Sequence, residues 1–157
     1  MHPRRRIRLG PENYQQPGRV FSVTIATKNR LPIFLDLQFG KECVAALRRI
    51  REKSGSRIYA YCLMPDHVHL LIGIAAPSSL LAVVGGWKSV CSRIWRDAAH
   101  GPALWQRSFF DHALRQEEDL RVAARYILWN PVRAGLVTRV RDYELCGSME
   151  FDLGELS

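Results

Sequence analysis

At 157 residues, with 47% hydrophobic and 24% charged, the chain has the length and composition of one soluble domain with a real core. Its 23 Lys+Arg against 15 Asp+Glu give a net charge of +8, which suits a polyanionic partner because each neutralised phosphate releases condensed counterions. Cys43, Cys62, Cys91 and Cys146 show no C-x-x-C spacing, which argues against a disulfide framework or a four-cysteine zinc site and for a reducing cytoplasm. Gly10, Pro11, Glu12 and Asn13 stand where a signal peptide needs an apolar run, and no apolar stretch is long enough to span a bilayer; a cytoplasmic, unanchored protein is expected.

Residues 1–18 hold four arginines, three prolines and two glycines and read as a flexible basic arm. Val20, Phe21, Val23, Thr24 and Ile25 form a β-branched and aromatic run closed by Lys28, Asn29 and Arg30, the signature of a first strand. From Leu37 to Lys53, Phe39, Cys43, Val44, Leu47 and Ile50 recur at helical spacing, and Ser54-Gly55 ends the helix. Strands are expected at Arg57 to Leu63 and His67 to Ile74, a hairpin joined by Met64-Pro65-Asp66. Ser79 can cap a second helix reaching about Ala99, with a kink expected at Gly85-Gly86. The apolar segment from Leu104 to Leu114 is expected to contain a fourth strand. A last helix from about Glu117 to Trp129 opens on three acids and should stop at Asn130-Pro131, because a residue before proline is biased away from the helical region. The order β-α-β-β-α-β plus an additional C-terminal helix predicts an α+β, ferredoxin-like sheet with helices on one face. The domain is drawn at 19–143, with 144–157 as a C-terminal tail.

Alternation along the third strand places Val68, Leu70, Ile72 and Ile74 on one face, and His67 and His69 together on the other, with their Cα atoms roughly 6.5 to 7 Å apart. Two imidazoles at that spacing can converge on one metal ion. Taken alone, an H-x-H pair is more often two half-exposed histidines with no ligand. In the last helix, Leu120, Ala124, Ile127 and Leu128 make a packing stripe, and Tyr126 and Asn130, four apart, are neighbours beside it. A carboxamide oxygen one turn from a phenol can complete a metal site begun by two imidazoles while the phenol stays free as a nucleophile. The bland alternatives are a packed tyrosine and an asparagine C-cap.

Three segments carry a family resemblance: Tyr61-Cys62-Leu63-Met64-Pro65-Asp66-His67-Val68-His69-Leu70-Leu71, Leu104-Trp105-Gln106 with Phe109-Phe110-Asp111-His112, and Arg125-Tyr126-Ile127-Leu128-Trp129-Asn130-Pro131-Val132-Arg133-Ala134-Gly135-Leu136-Val137. From about Val20 to Tyr143 the chain resembles the REP-associated tyrosine transposases, relatives of the single-tyrosine insertion-sequence transposases of the HUH endonuclease class. The resemblance implies that His67 and His69 are metal ligands and that Tyr126 is the nucleophile. Asn130 then stands where related transposases place a third ligand, commonly a glutamine, which is one methylene longer. It further implies a Mg²⁺ or Mn²⁺ cofactor and metal-assisted cleavage of single-stranded or hairpin DNA through a 5′-phosphotyrosine, by a monomer or homodimer.

The DNA contacts expected are Arg4, Arg5, Arg6, Lys88, Arg93, Arg96, Arg115 and Arg133. Trp87 and Trp95, eight apart on the second helix, read as core rather than as base-stacking platforms. Asp111 and His112 are open to a supporting role at the site or a structural one. Two rival readings compete: a non-catalytic single-stranded nucleic-acid-binding module of the same fold, and a zinc-stabilised protein using Cys62, His67 and His69.

Overall fold

The computed structural model describes residues 19–98, 101, 103–115 and 120–156. The expected basic arm, with Arg4, Arg5 and Arg6, and the acids Glu117, Glu118 and Asp119 lie outside the described residues.

Strand β1 (Val20–Ala26) alternates strictly, with Phe21, Val23 and Ile25 fully buried and Ser22 and Thr24 on the other face. Helix α1 (Leu37–Ser54) starts where the Asp36 carboxylate accepts from the Phe39 amide at 3.1 Å, and ends at Gly55, whose φ of 69° is left-handed. Strands β2 (Arg57–Met64) and β3 (His67–Gly73) form the expected hairpin around Pro65 and Asp66. Helix α2 (Leu80–Asp97) is capped by the Ser79 hydroxyl, which accepts from the Ala82 amide at 3.1 Å. It runs through Gly85 and Gly86 as one helix. A short β4 (Phe110–Ala113) follows.

The sheet order β4-β1-β3-β2, antiparallel at each pairing, is the ferredoxin-like arrangement, extended by a two-residue β5 (Cys146–Gly147) on the outer edge of β2. Helices α1 and α2 cover one face, burying Val68, Leu70 and Ile72 of β3 against Phe39, Leu47, Val84 and Trp87. Trp87 is core, as its spacing predicts: it is fully buried and its Nε1 donates to the Cys43 carbonyl at 2.8 Å. Trp95 packs on Phe39, with ring centroids 5.1 Å apart.

Helix α3 (Leu120–Leu128) lies on the opposite face, where Ala124, Ile127 and Leu128 meet Ala60, Cys62, Met64 and Leu71. Because α3 packs here, this sheet face is covered at its β2 end and open toward β4. Helix α3 stops after Leu128, ahead of Asn130-Pro131 as expected, but the chain does not become extended there. Trp129 keeps helical torsions (φ −83°, ψ −3°), and a second short helix, α4 (Asn130–Arg133), begins at once. Proline suits that place, since first-turn amides have no helical acceptor to lose. Asn130 is therefore the first residue of a new helix and not a C-cap.

Residues 144–156, set apart as a tail in the sequence, are built into the same body. The Leu63 amide donates to the Leu145 carbonyl at 2.8 Å, and the Tyr143 hydroxyl donates to the Leu63 carbonyl at 2.7 Å. The Glu150 carboxylate, with its side chain only 8% exposed, accepts from Arg51, Arg57 and the Ile58 amide. Apolar Leu145 and Leu156 are buried.

Candidate active site

On the α3 face of β3, His67 and His69 turn their rings edge to face, with centroids 4.7 Å apart and planes at 90°. Their Nε2 atoms are 3.0 Å apart, so both rings aim the same nitrogen at one point. Each Nδ1 is held from behind. That of His67 lies 2.6 Å from the Asp66 carboxylate, and that of His69 lies 3.2 Å from the Thr24 hydroxyl. Thr24 is placed by strand register, being the β1 residue directly opposite His69. Asp66 is in turn paired with Arg30 at 3.2 Å. In the ligating tautomer of each ring the proton sits on Nδ1, so that His67 donates to Asp66 and His69 to the Thr24 hydroxyl, leaving both Nε2 lone pairs to face a cation.

This is how imidazoles are arranged to ligate. The distal nitrogens converge while carboxylate or hydroxyl partners fix ring orientation and raise basicity. Two nitrogens bound cis to one octahedral cation at about 2.1 Å are about 3.0 Å apart, which the Nε2 separation matches. The site also favours the neutral, ligating form of the ring. Burial first, then the neighbouring His67 and the charges of Arg133 and Arg30, push His69 down from 6.5 to about 4. Asp66 is held below its ordinary value: burial raises it, but the His67 hydrogen bond and the Arg30 charge outweigh that. Among the described residues, no three His, Cys, Asp or Glu side chains gather as a metal cluster.

Tyr126 projects from α3 with 66% of its surface exposed, and shares a groove with Ser22, His112 and Leu114 at the open, β4 end of the sheet face. Its ring is stacked under the Arg133 guanidinium, whose central carbon is 4.0 Å from the ring centroid. The same guanidinium donates to the Tyr126 carbonyl and, at 2.8 Å, to Oδ1 of Asn130. The Asn130 Nδ2 is buried with no hydrogen-bond partner. Thus the structure joins Tyr126, Asn130 and Arg133 directly, and Arg133 is also close enough to His69 to act on its charge.

The other cations expected to contact DNA are dispersed. Lys88 and Arg96 line a groove with Ser92, Trp105 and Arg107 on α2, across the sheet from the histidines. Lys88 Nζ donates to the Gln106 and Ser108 carbonyls at 3.4 and 3.3 Å, tethering that loop. Arg93 is exposed on the same helix but does not line that groove, and Arg115 is exposed just after β4. The zinc reading gains nothing, because Cys62 is fully buried on β2 and pairs with Cys146 across the β2–β5 ladder. Sequence reasoning missed Thr24 and the backing role of Asp66. Asp66 was signalled by its place beside His67, whereas Thr24 carried no local signal.

A histidine pair of this construction on a ferredoxin-like sheet, faced by a helix with an exposed tyrosine, narrows the comparison with known proteins. The family model described as "Transposase IS200 like" matches residues 20–130. The chain belongs to the IS200-like transposase family. Within reach of it by sequence is the REP-associated tyrosine transposase of Escherichia coli K12, 25% identical over 130 residues, covering 83% of this chain and 76% of that protein. A Haemophilus influenzae protein provisionally given the same name is 27% identical over 137 residues, covering 80% of this chain and 77% of its own. The fold is shared with a solved REP-associated tyrosine transposase bound to a REP hairpin, with a TM-score of 0.70 at 24% identity, covering 85% of this chain and 78% of that one. Among the described residues no helix is long and apolar enough to cross a membrane.

Proposed function

We propose that this IS200-like transposase is a metal-dependent endonuclease and strand-transferase for single-stranded DNA at hairpin or palindromic sites, working through a 5′-phosphotyrosine on Tyr126. The observation that carries this reading is the convergence of the His67 and His69 Nε2 atoms, 3.0 Å apart, with both Nδ1 atoms backed. His67 and His69 would hold Mg²⁺ or Mn²⁺, with Asn130 as third ligand through Oδ1, an oxygen that also accepts from Arg133. When bound, the cation would supply positive charge to offset the negative charge developing on the scissile phosphate.

The chain's own residues do the rest. The Tyr126 oxygen attacks phosphorus, its proton leaves to solvent or a nearby base, and the bond to the 3′-oxygen breaks, releasing a 3′-OH. One phosphodiester replaces another, so a 3′-OH can reverse the step without an added energy source. Hairpin DNA is the substrate form favoured, since the solved relative sharing this fold is bound to a REP hairpin. Incubation of a single-stranded hairpin oligonucleotide with the protein and Mn²⁺ should give a covalent adduct that peptide mapping places on Tyr126. Tight hairpin binding with neither nick nor adduct in any divalent metal would favour the non-catalytic binding module instead.

A further inference from the structure

The exposed position of Tyr126 raises a physical problem. A phenol with 66% of its surface in solvent has little packing to hold its ring, yet attack on phosphorus demands a narrow range of distance and angle. Among the described residues, Arg133 holds it most directly: the guanidinium carbon lies over the ring, 4.0 Å from its centroid, and Nη2 donates to both the Tyr126 carbonyl and Asn130 Oδ1. The ring contact and the two hydrogen bonds together restrain the guanidinium against the tyrosine. The support beneath it is firm. Helix α4 is closed by Ala134 donating to the Asn130 carbonyl and Leu136 to the Pro131 carbonyl, both at 2.9 Å, with Pro131 buried and Gly135 at φ 74° ending the turn.

We infer that Arg133 is a positioning residue for the nucleophile, holding the Tyr126 ring and the Asn130 carboxamide in one arrangement before DNA arrives, and is not chiefly a phosphate contact. The inference rests on the reading of Tyr126 as nucleophile. It explains why the Tyr126 carbonyl and Asn130 oxygen share a single donor: the helix turn at Trp129 brings residues seven apart into one cluster. Lysine at 133 would keep the charge and a donor but lose the planar guanidinium that lies over the ring.

Arg133 is exposed, so its substitution leaves the core intact and the test is clean. With saturating hairpin oligonucleotide and Mn²⁺, single-turnover formation of the Tyr126 adduct should slow by roughly ten- to a hundredfold in both Arg133→Ala and Arg133→Lys. Hairpin Kd, its salt dependence and the melting temperature should stay at wild-type values. A second measurement needs no activity: in the metal-free, DNA-free protein, NMR signals of the Arg133 side chain should be displaced upfield by the ring current, and Tyr126→Leu should abolish the displacement. Restoration of the rate by lysine, or a weakened Kd with the salt slope reduced by about one, would mark a phosphate contact and overturn the inference. Absence of the ring-current displacement would overturn it independently. Failure of the wild-type protein to form any adduct would sink the nucleophile reading itself, whereas a wild-type adduct formed equally fast by both variants would sink only the positioning role.

Discussion

The protonation of His69 tests the histidine site without substrate or metal. Burial, the adjacent His67, and the charges of Arg133 and Arg30 bring it from 6.5 to about 4. The native state therefore refuses a proton that the unfolded chain accepts below 6.5. Stability from this group is fully present above 6.5, and is lost progressively as pH falls through the window down to about 4. At about 1.4 kcal/mol per pH unit, the loss across the window is on the order of 3 kcal/mol, a large part of a small domain's stability. The perturbation is His69→Gln, which keeps a polar side chain but removes the titration. Urea unfolding of both proteins with chelator present, at pH 7.5, 6.5, 5.5 and 4.5, should give curves whose difference grows toward acid in the wild type's disfavour. Subtraction cancels the carboxylates, including Asp66 and Glu150. A difference independent of pH, or an imidazole NMR titration of His69 with its midpoint near 6.5, would refute the placement of this ring. The functional corollary is that protons compete little at His69 for a divalent cation above about pH 5.

Other outcomes follow from the same geometry. His67→Ala or His69→Ala should abolish metal-dependent cleavage with the fold retained by circular dichroism, because both rings lie off the core face of β3; cleavage surviving in the double mutant would exclude them as ligands. Tyr126→Phe keeps the ring for Arg133 to stack on, so the protein should fold and bind hairpin DNA as before while forming neither nick nor adduct. Asn130→Ala should raise the Mn²⁺ concentration needed for half-maximal cleavage by roughly tenfold or more with little change in melting temperature; unchanged metal use would remove it from the ligand set. Glu150→Gln weakens the ion pairs that bind the C-terminal segment to Arg51 and Arg57, and should lower stability by about 1.5–3 kcal/mol near neutrality, read by thermal or urea unfolding. Its carboxylate is held below the ordinary 4.5, burial being outweighed by the Arg51 hydrogen bond and the other donors. That stabilisation should accordingly be present above 4.5 and disappear as the pH falls below it, leaving variant and wild type alike in strong acid.

Much of the fold was legible from residue pattern, because period-2 and period-3.6 burial are local properties of the chain. Strict alternation from His67 to Ile74 was enough to put both imidazoles on one face, and the four-residue spacing of Tyr126 and Asn130 was enough to make them neighbours. The Ser79 cap and the helix end at Gly55 are equally local. What local pattern could not supply was register and crossing. Thr24 backs His69 only because β1 and β3 pair in that one alignment, forty-five residues apart in sequence. The segment after Tyr143 was drawn as a tail; its anchoring depends on Arg51, Arg57 and the edge of β2, none of which is near it in sequence. At the Asn130-Pro131 step the long helix stops as expected, after Leu128, but the short helix that follows was not foreseen: a proline also sits well in a first turn, and Pro131 is buried there. That second helix sets Arg133 over Tyr126, a contact seven residues apart that no local pattern announces. Sequence determined which side chains could act and on which faces they would stand; packing across the sheet decided which of them touch, since distance between elements is set by the core and not by any single segment.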